Sequence, residues 1–241
     1  MPNSVEDYRA LVDKPWGRMF YDMIYCQLGL SADKRMRILD FGAGFCVAAD
    51  HYAKHHDVIA YEPDTEMYSR RKQTENYTLL TDRKQLDAIP DGSIDVVLCH
   101  NVLEYVPDKT EVLHELTRIL KKGGTLSVVK HNLCGRVLAY ATFSDAPADA
   151  LALLQAGDGG ESMFGKRGTY DNAFLTEFAN QNALTRGGFF GIRAFFALST
   201  NSEIKYSDEW YNDMLALELH ADEIDAFRNI AFFHHLVYEM E

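Results

Sequence analysis

Short apolar runs alternate with amphipathic stretches through the first half of the chain. Met36-Arg37-Ile38-Leu39-Asp40-Phe41 is an apolar run that stops at Gly42-Ala43-Gly44, the pattern of a strand feeding a tight turn. Asp57 to Glu62 is a second strand, and Pro63 behind it suits the first turn of a helix, where its missing N–H costs nothing. Tyr77 to Leu80 is a third. Pro90-Asp91-Gly92-Ser93 is turn chemistry ahead of a fourth, Ile94 to Cys99. Asp108 opens a helix, with Glu111 three residues on as in a capping box, and Leu113, Leu116, Ile119 and Leu120 recur at helical spacing. This pattern puts Lys121 and Lys122 in the last turn and Gly123-Gly124 at its end. Thr125 to Lys130 is a fifth strand. All these strands are apolar on both faces, as a parallel sheet covered on both sides requires. Right-handed crossovers then predict a doubly wound α/β sheet, mostly parallel, with helices on both faces.

The rhythm changes in the second half. Residues 132–172 mix helix-forming stretches with Gly135, Pro147, Gly157, Gly159, Gly160, Gly165 and Gly168, which reads as a lid or insertion after the fifth strand. A helix follows around Asp171 to Ala183. Phe189 to Leu198 reads as a sixth strand, and Ile230 to Met240 as a seventh that closes the sheet. Ahead of the first strand, Met19, Phe20, Met23, Ile24 and Leu28 line one face of a helix. The expected organisation is one domain over 1–241. It comprises a helical segment (1–34), a ligand-binding core (35–131), the lid and its helix (132–188), and a sheet-closing part (189–241).

Composition narrows the function classes. A chain of 241 residues with 47% hydrophobic and 25% charged residues is globular rather than disordered. Its net charge of −12 makes it a poor general binder of nucleic-acid backbone, DNA included, or of anionic lipid. Only residues 121–205 are not acidic, at +2 against −14 for the rest. Met1 to Asp7 lacks the charged start and apolar stretch of a signal peptide, and no apolar run is long enough to span a bilayer. Cys26, Cys46, Cys99 and Cys134 form no C-x-x-C pair, so buried free thiols in a reducing cytoplasm are expected. The adjacent pairs His55-His56 and His234-His235 point apart and lack the spacing of a metal site.

The candidate chemistry sits at the first turn. Gly42 and Gly44 let backbone approach a ligand closely, at the carboxyl edge where parallel sheets bind ligands. Glu62 ends the second strand 18 residues beyond Gly44, where a carboxylate can accept from both hydroxyls of a ribose. A dinucleotide site wants a third glycine, and that position is Val47. Asp40 at the turn would repel a pyrophosphate but suits an ammonium. An adenosine ribose at one end and an amino-acid ammonium at the other describe S-adenosylmethionine, so the two acids together favour that cofactor over NAD.

In these residues the sequence resembles class I S-adenosylmethionine-dependent methyltransferases. The likeness runs through Ile38 to Gly44, Glu62-Pro63, Pro90 to Val97, Asn101 to Val106 and Leu120 to Leu126, covering roughly 35–130. It implies a Rossmann-like sheet of seven strands. It also implies that Gly42, Ala43 and Gly44 pass the methionine part, that Glu62 with Pro63 holds the ribose, and that Asp82, Arg83 and Lys84 flank the adenine. His100 would lie near the methionine part or the substrate. A weaker likeness, through His100 to Val106, Lys130-His131-Asn132 and Gly191 to Phe195, is to the bacterial tRNA 5-carboxymethoxyuridine methyltransferases. That resemblance implies a carboxylate on a tRNA wobble uridine as acceptor, and an arginine of the N-terminal helix on the cofactor, near where Arg18 stands. The acidic balance favours a small-molecule O- or N-acceptor instead, and a non-catalytic binder of the cofactor is a third reading. A carboxylate acceptor needs no general base, whereas an amine or phenol could use His100 or His131. Arg193 suits a carboxylate as anchor, because its planar fork matches two oxygens.

Overall fold

The apolar runs of the first half become strands, and Asp108 caps the helix it was expected to open. The computed structural model describes residues 4–157, 160–162 and 165–241, with 160–162 and 165–167 described by backbone alone. Met1 to Asn3, where the absence of a signal peptide was read, and Gly159 of the glycine-rich segment lie outside the described residues. The strands are β1 (Arg37–Phe41), β2 (Asp57–Tyr61), β3 (Thr78–Leu80), β4 (Ile94–His100), β5 (Leu120–His131), β6 (Gly160–Ser162), β7 (Gly165–Arg167), β8 (Leu184–Ile192) and β9 (Phe233–Met240). Seven of them form one open, mostly parallel sheet in the order β3-β2-β1-β4-β5-β9-β8, while β6 and β7 pair separately. β1 lies between β2 and β4 in parallel register, with Asp40 opposite Ala60 on one side and Leu98 on the other. The strand order reverses at β1, which is where open sheets of this kind leave a crevice at their carboxyl ends.

The chain forms two compact units. One comprises Leu30–Val128, Tyr170–Gly188 and Val237–Glu241. Its core is the doubly apolar strand set, with Ile38, Leu39, Ile94, Val97 and Leu98 fully buried. Each such side chain contributes about 1.5–3 kcal/mol on burial. Asp108 caps the helix Lys109–Ile119 by accepting from Glu111 N, and Leu113, Leu116 and Ile119 face the core as their spacing predicted. Asp171 does the same for Asn172–Gln181, accepting from Phe174 N.

The other unit comprises the chain up to Gly29, Val129–Thr169 and Phe189–Leu236. Pro15 opens the helix Pro15–Leu28 and Gly29 ends it in the left-handed region at φ 54°. Met19, Phe20, Met23 and Ile24 pack with Val129, Ile192, Phe196, Tyr211 and Phe233 in one cluster, whereas Leu28 lies only at its margin. The glycine-rich segment contains the helix Leu133–Leu138, a π-helical turn Ala139–Phe143 and the helix Pro147–Ala156 before β6 and β7.

Four sequence expectations are corrected. Lys121 and Lys122 are not a helix end: the helix stops at Ile119 and β5 starts at Leu120, with Gly123 at φ 73° inside it. The sixth strand is Leu184–Ile192 rather than Phe189–Leu198. It stops where Arg193 takes φ 62° and the next three amides turn to the Glu218 carboxylate instead of a ladder. The last strand starts at Phe233 and does not close the sheet; it inserts between β5 and β8 and leaves β3 and β8 as edges. Finally, all four cysteines are free, but Cys26 and Cys134 are exposed and only Cys46 and Cys99 are buried.

Candidate functional site

Strand β1 ends and the chain reverses over Gly42 and Gly44, at φ 72° and 55°. Glycine is required at Gly42 for a second reason, because an added Cβ would stand 2.4 Å from Val102 Cγ2. The amides of Gly42 and Ala43 both donate to Tyr61 O, at 2.9 and 3.0 Å, tying the turn to the end of β2. This brings Glu62 against the turn. Its Oε2 accepts from Gly44 N at 2.7 Å and its Oε1 from Asp64 N at 2.9 Å. Each oxygen then keeps a lone pair for a further donor, the geometry a pair of vicinal hydroxyls needs. Pro63 follows, exposed, and Asp64 caps the helix Thr65–Ser69.

Burial raises the pKa of both acids. For Glu62 it outweighs the two amide hydrogen bonds, and the Asp64 charge pushes the same way. Asp40 is 4% exposed, and burial carries its carboxyl to about 7, against the lowering effect of Ala49 N and with the help of the Glu62 charge. Its Oδ2 accepts from Ala49 N at 3.1 Å in the first turn of the helix Val47–Tyr52. Among the described residues no Lys, Arg or His forms an ion pair with it. A buried carboxylate without a cation is the complement of an ammonium ligand.

Other sequence-predicted residues of this unit are placed as follows. Asp82 caps the helix Arg83–Asp87 through Lys84 N, in a capping box with Gln85. Arg83 pairs with Glu115 and Asp87, and Lys84 is exposed. His100 ends β4, with its Nε2 2.8 Å from Ser127 Oγ. Burial lowers its pKa to about 3, so the ring is neutral and a weak base. Asp64 and Ser127 were not singled out from the sequence. The proline-acid pair after β2 and a lone hydroxyl within the apolar run of β5 are the signals that would have found them.

Arg18, His131 and Arg193 belong to the other unit. Arg18 is half exposed, lies over the Tyr211 ring at 4.0 Å and pairs with Asp22 and Asp208. His131 packs its ring on Phe233, centroids 4.9 Å apart. Asn132 is structural: it precedes the helix Leu133–Leu138 and its Nδ2 donates to Asn229 O and Ala231 O. Arg193 is fully buried, its guanidinium 3.9 Å from the Trp16 ring centroid. Glu218, which holds the backbone behind it, stands 25 residues away and carries no local signal in the sequence.

The family described as Methyltransferase domain matches residues 39–128. Asp40, the Gly42–Gly44 turn, Glu62 and His100 lie inside this range; Arg18, His131 and Arg193 lie outside it. Over 126 residues the chain is 29% identical to the tRNA 5-carboxymethoxyuridine methyltransferase of Escherichia coli strain K12, covering 48% of this chain and 47% of that protein. Over 112 residues it is 32% identical to the ubiquinone biosynthesis O-methyltransferase of Xanthomonas oryzae pv. oryzae strain PXO99A, covering 44% and 47%. The chain thus spans about half the length of the curated relatives it matches. An S-adenosylmethionine-dependent methyltransferase of Mesorhizobium loti, a solved structure, shares the fold at a TM-score of 0.57 and 16% identity, covering 95% of this chain and 99% of that one. The matched residues therefore sit in a Rossmann-like sheet, and no described helix is long and apolar enough to cross a membrane.

Proposed function

We propose that the protein is a cytoplasmic enzyme that transfers a methyl group from S-adenosyl-L-methionine to an acceptor. One observation carries this reading: the Glu62 carboxylate is held by Gly44 N–H and Asp64 N–H beside a glycine turn, and the buried Asp40 at the end of β1 pairs with no cation among the described residues. Glu62 accepts from the ribose hydroxyls. Gly42, Ala43 and Gly44 let the methionine part pass, and Asp40 meets its ammonium. Pro63 fixes the exit of the chain from the ribose site, and Asp82, Arg83 and Lys84 border the adenine. The cofactor supplies an already activated sulfonium methyl, so the protein's task is alignment and exclusion of water. Positioning of that kind can supply about 7–11 kcal/mol of a barrier. His100, neutral and tied to Ser127, orients rather than abstracts a proton. Arg18 is a further cofactor contact, and His131 borders the acceptor.

The likeness to the E. coli enzyme supports a tRNA carboxylate as acceptor, and the Xanthomonas relative supports a small-molecule oxygen. The net charge of −12 favours the small acceptor. Titration calorimetry with S-adenosylmethionine tests the cofactor assignment; an unchanged dissociation constant in Glu62→Ala would remove the ribose role. Transfer of labelled methyl into bulk tRNA, against a set of small acids, phenols and amines, separates the acceptors. Binding without transfer to any of them would make the protein a sensor of the cofactor.

A further inference from the structure

The Arg193 guanidinium is a buried charge with an incomplete set of partners. It is 0% exposed, and among the described residues only its Nη1 donates, to Trp16 O at 3.3 Å. Among the described residues its Nε and Nη2 have no hydrogen-bond partner. Those two nitrogens form one edge of the planar group and present parallel N–H bonds, the fork that takes both oxygens of a carboxylate. The faces of the group are covered instead, by Trp16 at 3.9 Å, Phe233 at 4.9 Å and Phe232 at 5.0 Å. Glu218 is the nearby carboxylate, and it does not fill the edge. Its Oε2 accepts from Ala194 N at 2.7 Å, and its Oε1 from Phe195 N and Phe196 N at 2.9 and 2.7 Å. It therefore holds Arg193 in its left-handed backbone conformation, at φ 62°, rather than pairing with the side chain. A second cation is present in the same unit: Lys205 Nζ is fixed on Phe196 O and Ser199 O and lies in the field of Arg193.

We propose that the Nε/Nη2 edge of Arg193 is the recognition site for the carboxylate of a small acid, with Trp16, Phe232 and Phe233 as its aromatic surround. Charge supports a carboxylate over a phosphate, because a single guanidinium edge balances one negative charge. Calling this acid the methyl acceptor rests on the methyl-transfer reading; the binding itself does not.

The test uses the full chain with no methyl donor, so it can fail while the cofactor titration succeeds, and the reverse. Arginine Nε–H resonances are followed by proton–nitrogen NMR during titration with acetate, benzoate, methyl benzoate and inorganic phosphate. One Nε–H resonance is expected to move downfield, saturably, with acetate or benzoate and not with methyl benzoate. Arg193→Lys keeps the charge and loses the fork, so the acid should bind at least tenfold more weakly there. No saturable shift with either acid would overturn the proposal. So would an equal response to the ester, a response to phosphate alone, or undiminished binding in R193K. If R193K does not fold, the contrast between acid and ester in the unaltered chain decides.

Discussion

Removing the Asp40 charge should stabilise the ligand-free protein while weakening its hold on a cationic ligand. Burial raises the Asp40 carboxyl to about 7 in the fold. In an unfolded chain it titrates near 3.9, so the folded state binds the proton more tightly by ~3 pH units. The sign follows from proton linkage. Between these two values the folded chain carries more protons than the unfolded one, so stability falls as pH rises. The loss is complete above the folded pKa, with a ceiling of ~4 kcal/mol at ~1.4 kcal/mol per unit. Asp40→Asn removes the titration and keeps an oxygen for Ala49 N, which now donates to Oδ2. Urea unfolding should therefore show D40N more stable than the unaltered protein at pH 8, by up to that ceiling, and matched to it near pH 4. S-adenosylmethionine should reverse the order at pH 8, because its ammonium compensates the carboxylate that is already ionised there. Near pH 6, binding should release a proton, read as a dependence of the binding heat on buffer ionisation enthalpy. A D40N protein no more stable at pH 8 than at pH 4, relative to the unaltered chain, would refute the reasoning.

Glu62→Ala should cost S-adenosylmethionine affinity by a factor of tens to hundreds by calorimetry, since each hydrogen bond to a charged group contributes about 1.5–3 kcal/mol. Gly42→Ala forces a Cβ onto Val102 at a positive φ, at 2.4 Å. A loss of about 2–4 kcal/mol in urea unfolding is expected. The double variant G42A/V102A should recover the packing share, and a G42A chain as stable as the parent would contradict the turn geometry. Glu218→Ala strands three amides. At about 1–3 kcal/mol for each unsatisfied donor, thermal unfolding should drop sharply, and a small drop would mean that water replaces the carboxylate. His100→Asn should change rate or KM without removing a limb of the pH–rate profile between pH 5 and 8, because the ring stays neutral down to about 3; a vanished limb would restore His100 as a base.

The first half of the sequence was legible because its signals are local. β1 and β2 are doubly apolar runs whose ends are marked by Gly42-Ala43-Gly44 and Pro63, and Asp108 sits beside the helix it caps. The turn and its acid could be read for the same reason: parallel neighbours place Phe41 opposite Tyr61, and Glu62 follows one residue on. What failed depends on distant partners. Phe189 to Leu198 has the hydrophobicity of a strand, and only Glu218, more than twenty residues away, turns its second half into a backbone clamp. Lys121 and Lys122 looked like a helix end because basic residues followed by Gly123-Gly124 make that signature; in the fold the glycines serve a bend within β5. The insertion of β9 between β5 and β8 has no sequence signature at all.

The double grip on Glu62 has a consequence for anyone hoping to alter the turn. Both of its oxygens face backbone N–H groups. A glutamine of the same shape would aim its NH2 at one of them, donor against donor, whichever way it flipped. The most conservative swap is thus one the scaffold refuses, and any change to this end of β2 has to be made at neighbouring positions around a fixed acid.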